Sequence, residues 1–292
     1  MRRVEEDVAS QPGCWLRAAE VAAASAGALP RPGQTVAVVG CGTSWFMAQA
    51  YASLREQAGH GRTDAFAASE MPSRRSYDWI LAITRSGTTT EVLDLLVRVG
   101  KAATTAVTAD PATPVADLVE HLVVLDFADE RSIVQTRFAT TALGLLRAGL
   151  GHDLRAVAEQ GERALAVPVE PWVGVEQVTF LGRGWAAGIA HEAALKAREA
   201  AQLWAESYPA MEYRHGPISI AEPGRLVWMF GEPPAGLADD VAATGATFVT
   251  SDLDPMAHLV VAQRFAVMAA LAKGLDPDRP RHLTRSVVLR AG

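Results

Sequence analysis

Eight consecutive residues, Thr84-Arg85-Ser86-Gly87-Thr88-Thr89-Thr90-Glu91, carry five hydroxyls and one guanidinium. Donors at that density suit the oxygens of a phosphate. The segment follows a short apolar run, Trp79 to Ile83, and precedes a helical pattern from Val92 to Val99, so it reads as a strand-to-helix loop. A helix start offers unpaired backbone N–H groups and a partial positive charge, and a glycine lets the chain close around an anion. The same residues also read as a capping box, Thr88-x-x-Glu91, with the other hydroxyls solvated. A second loop, Gly40-Cys41-Gly42-Thr43-Ser44, follows Val36 to Val39 and precedes a helix from Ser44 to about Ala58. Trp45 stands where a dinucleotide fingerprint has its third glycine, and the Gly-Lys-Ser/Thr of a Walker loop is missing. Side by side, the two hydroxyl loops point to one phosphate held from two sides; alone, the hydroxyls of the second loop read equally well as N-caps.

Carboxylates and a histidine come later in the chain. Trp185 to Trp204 is Ala-rich and apolar and predicts a helix buried on most sides. Glu192, Lys196 and Glu199 interrupt it at spacings of four and three, which places them on one stripe. They form either an intrahelical Glu192–Lys196 pair with Glu199 solvated, or a poorly solvated carboxylate fit to act as a base. His215 precedes Gly216-Pro217, a sharp turn that either presents the imidazole to a cleft or holds it structurally.

The elements that must position these groups occur twice. Val36 to Val39 with Gly40-Cys41-Gly42 is matched by Val178 to Leu181 with Gly182-Arg183-Gly184. At the same separation, Thr105 to Asp110 is matched by Thr247 to Asp252, and Arg137-Phe138-Ala139 recurs at a smaller one as Arg264-Phe265-Ala266. Strand and helix alternate within each copy, which implies an α/β fold of parallel sheets flanked by helices. Residues 1–167 then hold a lead-in helix, Pro12 to Leu29, and the first copy; residues 168–292 hold the second copy and a tail. Pro168 and Pro171 mark the join.

Composition narrows the function classes. The 292 residues are 49% hydrophobic and 21% charged with a net charge of −6, which excludes disorder and argues against a nucleic-acid partner. Two cysteines, Cys14 and Cys41, build no disulfide framework or self-contained zinc site. Met1-Arg2-Arg3 runs into Val4-Glu5-Glu6-Asp7 without a signal-like apolar region, and no apolar stretch approaches the ~20 residues that span a bilayer. A reduced, cytoplasmic protein with no membrane partner is the expectation.

The motifs at 40–44, 85–89, 182–199 and 205–217 together resemble the SIS (sugar isomerase) family, in the branch that forms the isomerase portion of glucosamine-6-phosphate synthase. The resemblance runs from about Thr35 onward. It implies two tandem flavodoxin-like SIS subdomains, in agreement with the repeat, and a sugar-phosphate site. The phosphate would be held by Ser44, Thr84, Ser86 and Thr89, with Cys41, Gly42, Thr43, Arg85 and Lys196 as further substrate contacts. Glu199 would be the proton-abstracting base. His215 would be the ring-opening acid/base, supplied by the neighbouring subunit of a homodimer. The sequence departs from the family at two residues and in one domain. Arg85 stands in place of Gln, a change that would grip phosphate through a bidentate fork. Arg285 stands at the Schiff-base Lys, and a guanidinium that stays protonated forms no imine, so Arg285 is left to polarise a carbonyl or hold substrate. With no amino-terminal Cys nucleophile or glutaminase domain, glutamine is not expected to supply ammonia within this chain. The expected function is a phosphosugar isomerase without metal or organic cofactor, moving a proton between C1 and C2. The alternatives are an aminosugar-phosphate deaminase or deglycase, and a non-catalytic sugar-phosphate sensor.

Overall fold

The computed structural model describes residues 2–289, which form two compact units. The amino unit contains Gly13–Leu154 and the described residues from Thr284 onward; the carboxyl unit contains the described residues up to Pro12 and Arg155–Leu283. The division falls earlier than the expected 167/168 join, and the two terminal segments change sides. Tertiary contacts explain the first exchange. Helix α1 (Arg3–Ala9) packs within the carboxyl unit, where the Asp278 carboxylate accepts from the N–H groups of Arg3 and Val4 at 3.0 and 2.9 Å. An anion there satisfies first-turn donors and complements the helix dipole. Helix α2 (Gln11–Ala24) then carries the chain into the amino unit.

The amino unit continues as β1 (Val36–Gly40), α3 (Thr43–Gln57), β2 (Thr63–Ala67), β3 (Trp79–Ile83), α4 (Thr90–Arg98), β4 (Ala103–Thr108), β5 (His121–Val124) and α5 (Arg137–Gly149). The strands form one parallel sheet in the order β2-β1-β3-β4-β5, the flavodoxin order. Every residue of β1 and β3 is buried, as near-continuous apolar runs require in a sheet covered on both faces. Val92, Leu95 and Leu96 of α4 close one face over Ala37, Val39, Ile80 and Ala82, while α3 packs against α5.

The carboxyl unit repeats this plan. Its elements are α6 (Leu154–Ala164), β6 (Gln177–Gly182), α7 (Ala186–Ala201), β7 (Trp204–Pro209), β8 (Arg225–Phe230), α8 (Leu237–Thr244), β9 (Thr247–Val249) and α9 (Pro255–Ala272). The sheet is parallel in the order β7-β6-β8-β9. Small residues along α7 (Ala190, Ala193, Ala194, Ala197) are all buried, and α7 packs on α9. Helix α9 is long and apolar enough to cross a membrane by composition, yet 72% of it is buried inside the structure, as befits a core helix. The third repeat match is not aligned with its helix start: Arg137 opens α5, whereas Arg264 lies inside α9 and donates to the carbonyls of Ala164 and Val167.

Gly40 and Gly182 end the first strand of their respective sheets. A Cβ on Gly40 would lie 2.7 Å from the Ser44 carbonyl carbon, and one on Gly182 would meet the Ala186 carbonyl oxygen. Both copies therefore start the next helix at a distance that only glycine permits. Gly182→Ala is expected to cost about 1–3 kcal/mol, the range for forcing an atom into filled space. The control is Gly27→Ala, where nothing lies within 4 Å of the added carbon. Equal melting temperatures for the two variants would contradict the argument.

Candidate active site

Adjacent parallel strands β1 and β3 pair Val39 with Ala82. From them the sheet order runs in opposite directions, β1 to β2 and β3 to β4 and β5. The carboxyl ends of the strands at such a reversal form the crevice where parallel α/β sheets bind ligands. The loops after β1 and β3 are the two hydroxyl loops of the sequence, so they emerge beside one another there. Neither is a capping device. Gly42, at φ 54°, is the N-cap of α3 and Thr89 that of α4, and neither helix has a side-chain cap. In place of the capping box, Thr88 Oγ1 donates to Ser86 Oγ at 3.0 Å. Thr43, Ser44, Thr84 and Ser86 are buried, and among the described residues the Ser44, Thr84 and Thr89 hydroxyls take no protein partner. Burial, and then the nearby Glu91 carboxylate, push the Cys41 thiol pKa up.

Arg85 is used differently from the expectation. Its guanidinium is buried, with Nη1 3.3 Å from Glu130 Oε2 and 3.2 Å from the Ser132 carbonyl, and Nη2 3.1 Å from the Arg285 carbonyl. The fork is spent on a buried carboxylate and two carbonyls, so it does not stand ready for a phosphate. Arg285 also differs. Its side chain bonds the Asp129 carboxylate and donates to the Glu130 carbonyl at 2.5 Å, which ties it to its own unit and occupies the groups that would polarise a substrate.

In the carboxyl unit the predicted stripe on α7 is a three-charge cluster. Lys196 Nζ lies 3.5 Å from Glu192 Oε1 and 2.5 Å from Glu199 Oε2. Glu192 is fully buried, Lys196 is 1% exposed, and the Glu199 side chain is 18% exposed. The Glu192–Lys196 pair is formed, but Glu199 shares the same ammonium instead of standing in solvent. Lys196, expected as a substrate contact, is buried between the carboxylates and orients Glu199. One group escaped sequence reasoning: His191 Nδ1 lies 2.9 Å from Ser207 Oγ on β7, and burial, then Arg198, lower the imidazole pKa. Its signal in the sequence is a histidine beside Glu192 in an otherwise Ala-rich run, while the polar composition of β7 conceals the strand that carries its partner.

His215 is exposed, at the end of a short 3-10 turn from Glu212 that follows β7. Beside it, Tyr213 is buried and its phenol pKa is pushed up to about 12, chiefly by burial. The Ala210 N–H donates to the Gly182 carbonyl at 2.8 Å, which places the start of this segment at the carboxyl end of β6. Cys41, Gly42, Thr43, Ser44, Thr84, Arg85, Ser86, Thr89 and Arg285 thus stand in the amino unit, and Lys196, Glu199 and His215 in the carboxyl unit. Among the described residues, no group of three or more His, Cys, Asp or Glu side chains is placed to hold a metal ion.

No protein-family model matches the chain. The glutamine–fructose-6-phosphate aminotransferase (isomerizing) of Pyrobaculum aerophilum is 33% identical over 196 residues, 52% of this chain and 32% of that protein. The same enzyme of Xylella fastidiosa is 25% identical over 315 residues, 87% of this chain and 52% of that protein. The chain spans about half the length of such relatives, or less. Glucosamine-6-phosphate deaminase of Thermotoga maritima superposes with a TM-score of 0.82 at 22% identity, over 99% of this chain and 100% of that one. Tagatose-6-phosphate ketose/aldose isomerase of Escherichia coli gives 0.80 at 19%, over 99% and 97%. The chain has the SIS fold. Its two sheets are the two SIS subdomains, and it is similar to the isomerase part of the longer aminotransferases. In SIS terms, the loops at 40–44 and 84–91 belong to the first subdomain and the α7 cluster to the second.

Proposed function

We propose that the chain is a phosphosugar isomerase acting on a sugar or aminosugar phosphate. The phosphate sits in the crevice after β1 and β3, bound by the Ser44, Thr84, Ser86 and Thr89 hydroxyls and by first-turn amides of α3 and α4. Anchoring the substrate at a point remote from the reacting carbons lets binding energy position the reacting end. His215 of a second copy opens the ring. The Glu199 carboxylate then removes the proton from the carbon beside the carbonyl, the electron pair moves toward the carbonyl oxygen, and the resulting enediol or enamine is reprotonated at the neighbouring carbon. Lys196 holds Glu199 in place for both transfers. This chemistry needs no metal or organic cofactor. The observation that carries the reading is the pair of adjacent loops whose hydroxyls neither cap a helix nor, for three of them, bond to the protein.

Ser86→Ala and Thr89→Val test it. Each is expected to weaken sugar-phosphate binding about ten- to hundredfold, the 1.5–3 kcal/mol of a hydrogen bond to a charged group. Circular dichroism and melting should stay near wild type. Unchanged affinity in both variants would return the loop to a purely structural role. A second reading, release of an amine from an aminosugar phosphate, is favoured by the full-length superposition on the Thermotoga deaminase. It uses the same proton transfer, and a coupled ammonia assay separates the two. A sensor would need the loops without Glu199 and His215, and both residues are present.

A further inference from the structure

Arg85 is the one cation in the hydroxyl loop, and its contacts lead away from the loop's hydroxyls. Nη1 faces Glu130, a fully buried carboxylate that also accepts from the N–H groups of Thr136 and Phe138 and so fixes the start of α5. Nη2 donates to the backbone carbonyl of Arg285 at 3.1 Å, and Arg285 in turn donates to the Glu130 carbonyl and bonds the Asp129 carboxylate. Beyond that knot the chain runs along the loop. Ser286 Oγ lies 3.1 Å from Thr88 Oγ1 and can donate to it, the Thr90 N–H donates to the Val287 carbonyl at 3.2 Å, and the Leu289 N–H to Thr90 Oγ1 at 2.9 Å.

Every one of these contacts is polar. Val287, Val288 and Leu289 are 52 to 63% exposed, so little apolar burial holds the segment down. Polar surface contacts of this kind are individually weak, and exposed ion pairs weaker still. The buried Arg85–Glu130 pair is the rigid member of the set. The Thr90 N–H matters for a second reason: it lies in the first turn of α4, where no intrahelical acceptor exists, and an anion in the crevice and the Val287 carbonyl would both seek such donors.

We propose that Arg85 is a positioning residue that fastens Arg285–Leu289 across the hydroxyl loop, and that it acts on ligand affinity through this strap and not by touching phosphate. The affinity half of the proposal rests on the sugar-phosphate reading above; the tether itself does not. Arg85→Lys separates the two roles, because it keeps a buried cation for Glu130 or for a phosphate but lacks the second arm that reaches the Arg285 carbonyl. Arg285→Ala loosens the strap from its own side and leaves the Arg85–Glu130 pair in place.

The test is amide hydrogen exchange on the full chain without ligand, followed by binding of inorganic phosphate and of hexose phosphates. In Arg85→Lys the Thr90 and Leu289 amides are expected to exchange on the order of tenfold faster than in wild type, while amides of β1 and β3 are unchanged. Arg285→Ala should give the same pattern, and the double variant should add little to either single one. Phosphate affinity should then change in the same direction in all three. Unchanged protection of Thr90 and Leu289 in Arg85→Lys overturns the tether whatever the binding data show. A loss of affinity in Arg85→Gln that Arg85→Lys restores, with protection unaltered, assigns Arg85 to the phosphate and also overturns it. If protection falls as expected but no form binds a sugar phosphate, the tether stands and the proposed function fails.

Discussion

Glu199→Gln is expected to lower kcat/KM for a sugar phosphate by about 10²–10⁴-fold, the usual contribution of a positioned general base. The substitution keeps the size and planarity of the side chain. Lys196 Nζ, 2.5 Å from Glu199 Oε2, can donate to the amide oxygen, and the Glu192 contact at 3.5 Å is left alone, so the α7 cluster keeps its shape. The amide cannot take a proton from carbon. Binding of a non-isomerisable sugar-alcohol phosphate should stay within a few-fold, since the phosphate loops are untouched. The loss therefore belongs in kcat, with KM little changed. A variant that keeps more than about a tenth of wild-type kcat would move the base elsewhere.

Much of this site was legible from local pattern. Strand β3 coincides with the apolar run Trp79 to Ile83, and the spacing of Glu192, Lys196 and Glu199 placed them on one stripe, where Lys196 bonds both carboxylates. The repeat of Gly40 in Gly182 reflects the same close approach of strand and helix in both sheets. What escaped was tertiary. Trp204, expected to end the helix from Trp185, instead opens β7, because an edge strand pairs on one side only and needs no continuous apolar run; Trp204 is 53% exposed. The role of Arg85 depends on Glu130 and Arg285, which are distant in sequence, and nothing in the local pattern announces either partner. Likewise α1 is tied down by Asp278, near the other end of the chain. Local periodicity reports which face is buried, not which side chain a buried charge will meet.

The order of elements in the carboxyl unit leads to the second large effect, recovery of activity from two dead variants. Helix α7 starts beside Gly182, at the carboxyl end of β6, and runs back to Ala201, two residues past Glu199. Roughly 20 Å of helical rise separates Ala186 from Glu199, at 1.5 Å per residue. Strand β7 then retraces that distance, pairing Trp204 with Gln177 and Pro209 with Gly182, so the turn bearing His215 follows at the end where α7 began. Glu199 and the start of the segment bearing His215 thus lie toward opposite ends of α7, which argues against one chain bringing both groups to adjacent carbons of one sugar. Under the proposed function, an exposed His215 on a second copy, related by a two-fold axis, would supply the missing group through an isologous contact. Glu199→Gln and His215→Ala should each be inactive alone. Mixed and allowed to exchange subunits at equal concentration, half the dimers are hybrids, and each hybrid carries one site with both residues intact. Activity should therefore rise to about a quarter of wild type at random association. Exchange is checked independently by native mass spectrometry of differently tagged chains. Hybrid dimers that form without regaining activity would show that each chain completes its own site, and the separation along α7 would then have to be bridged by movement of the 212–215 turn.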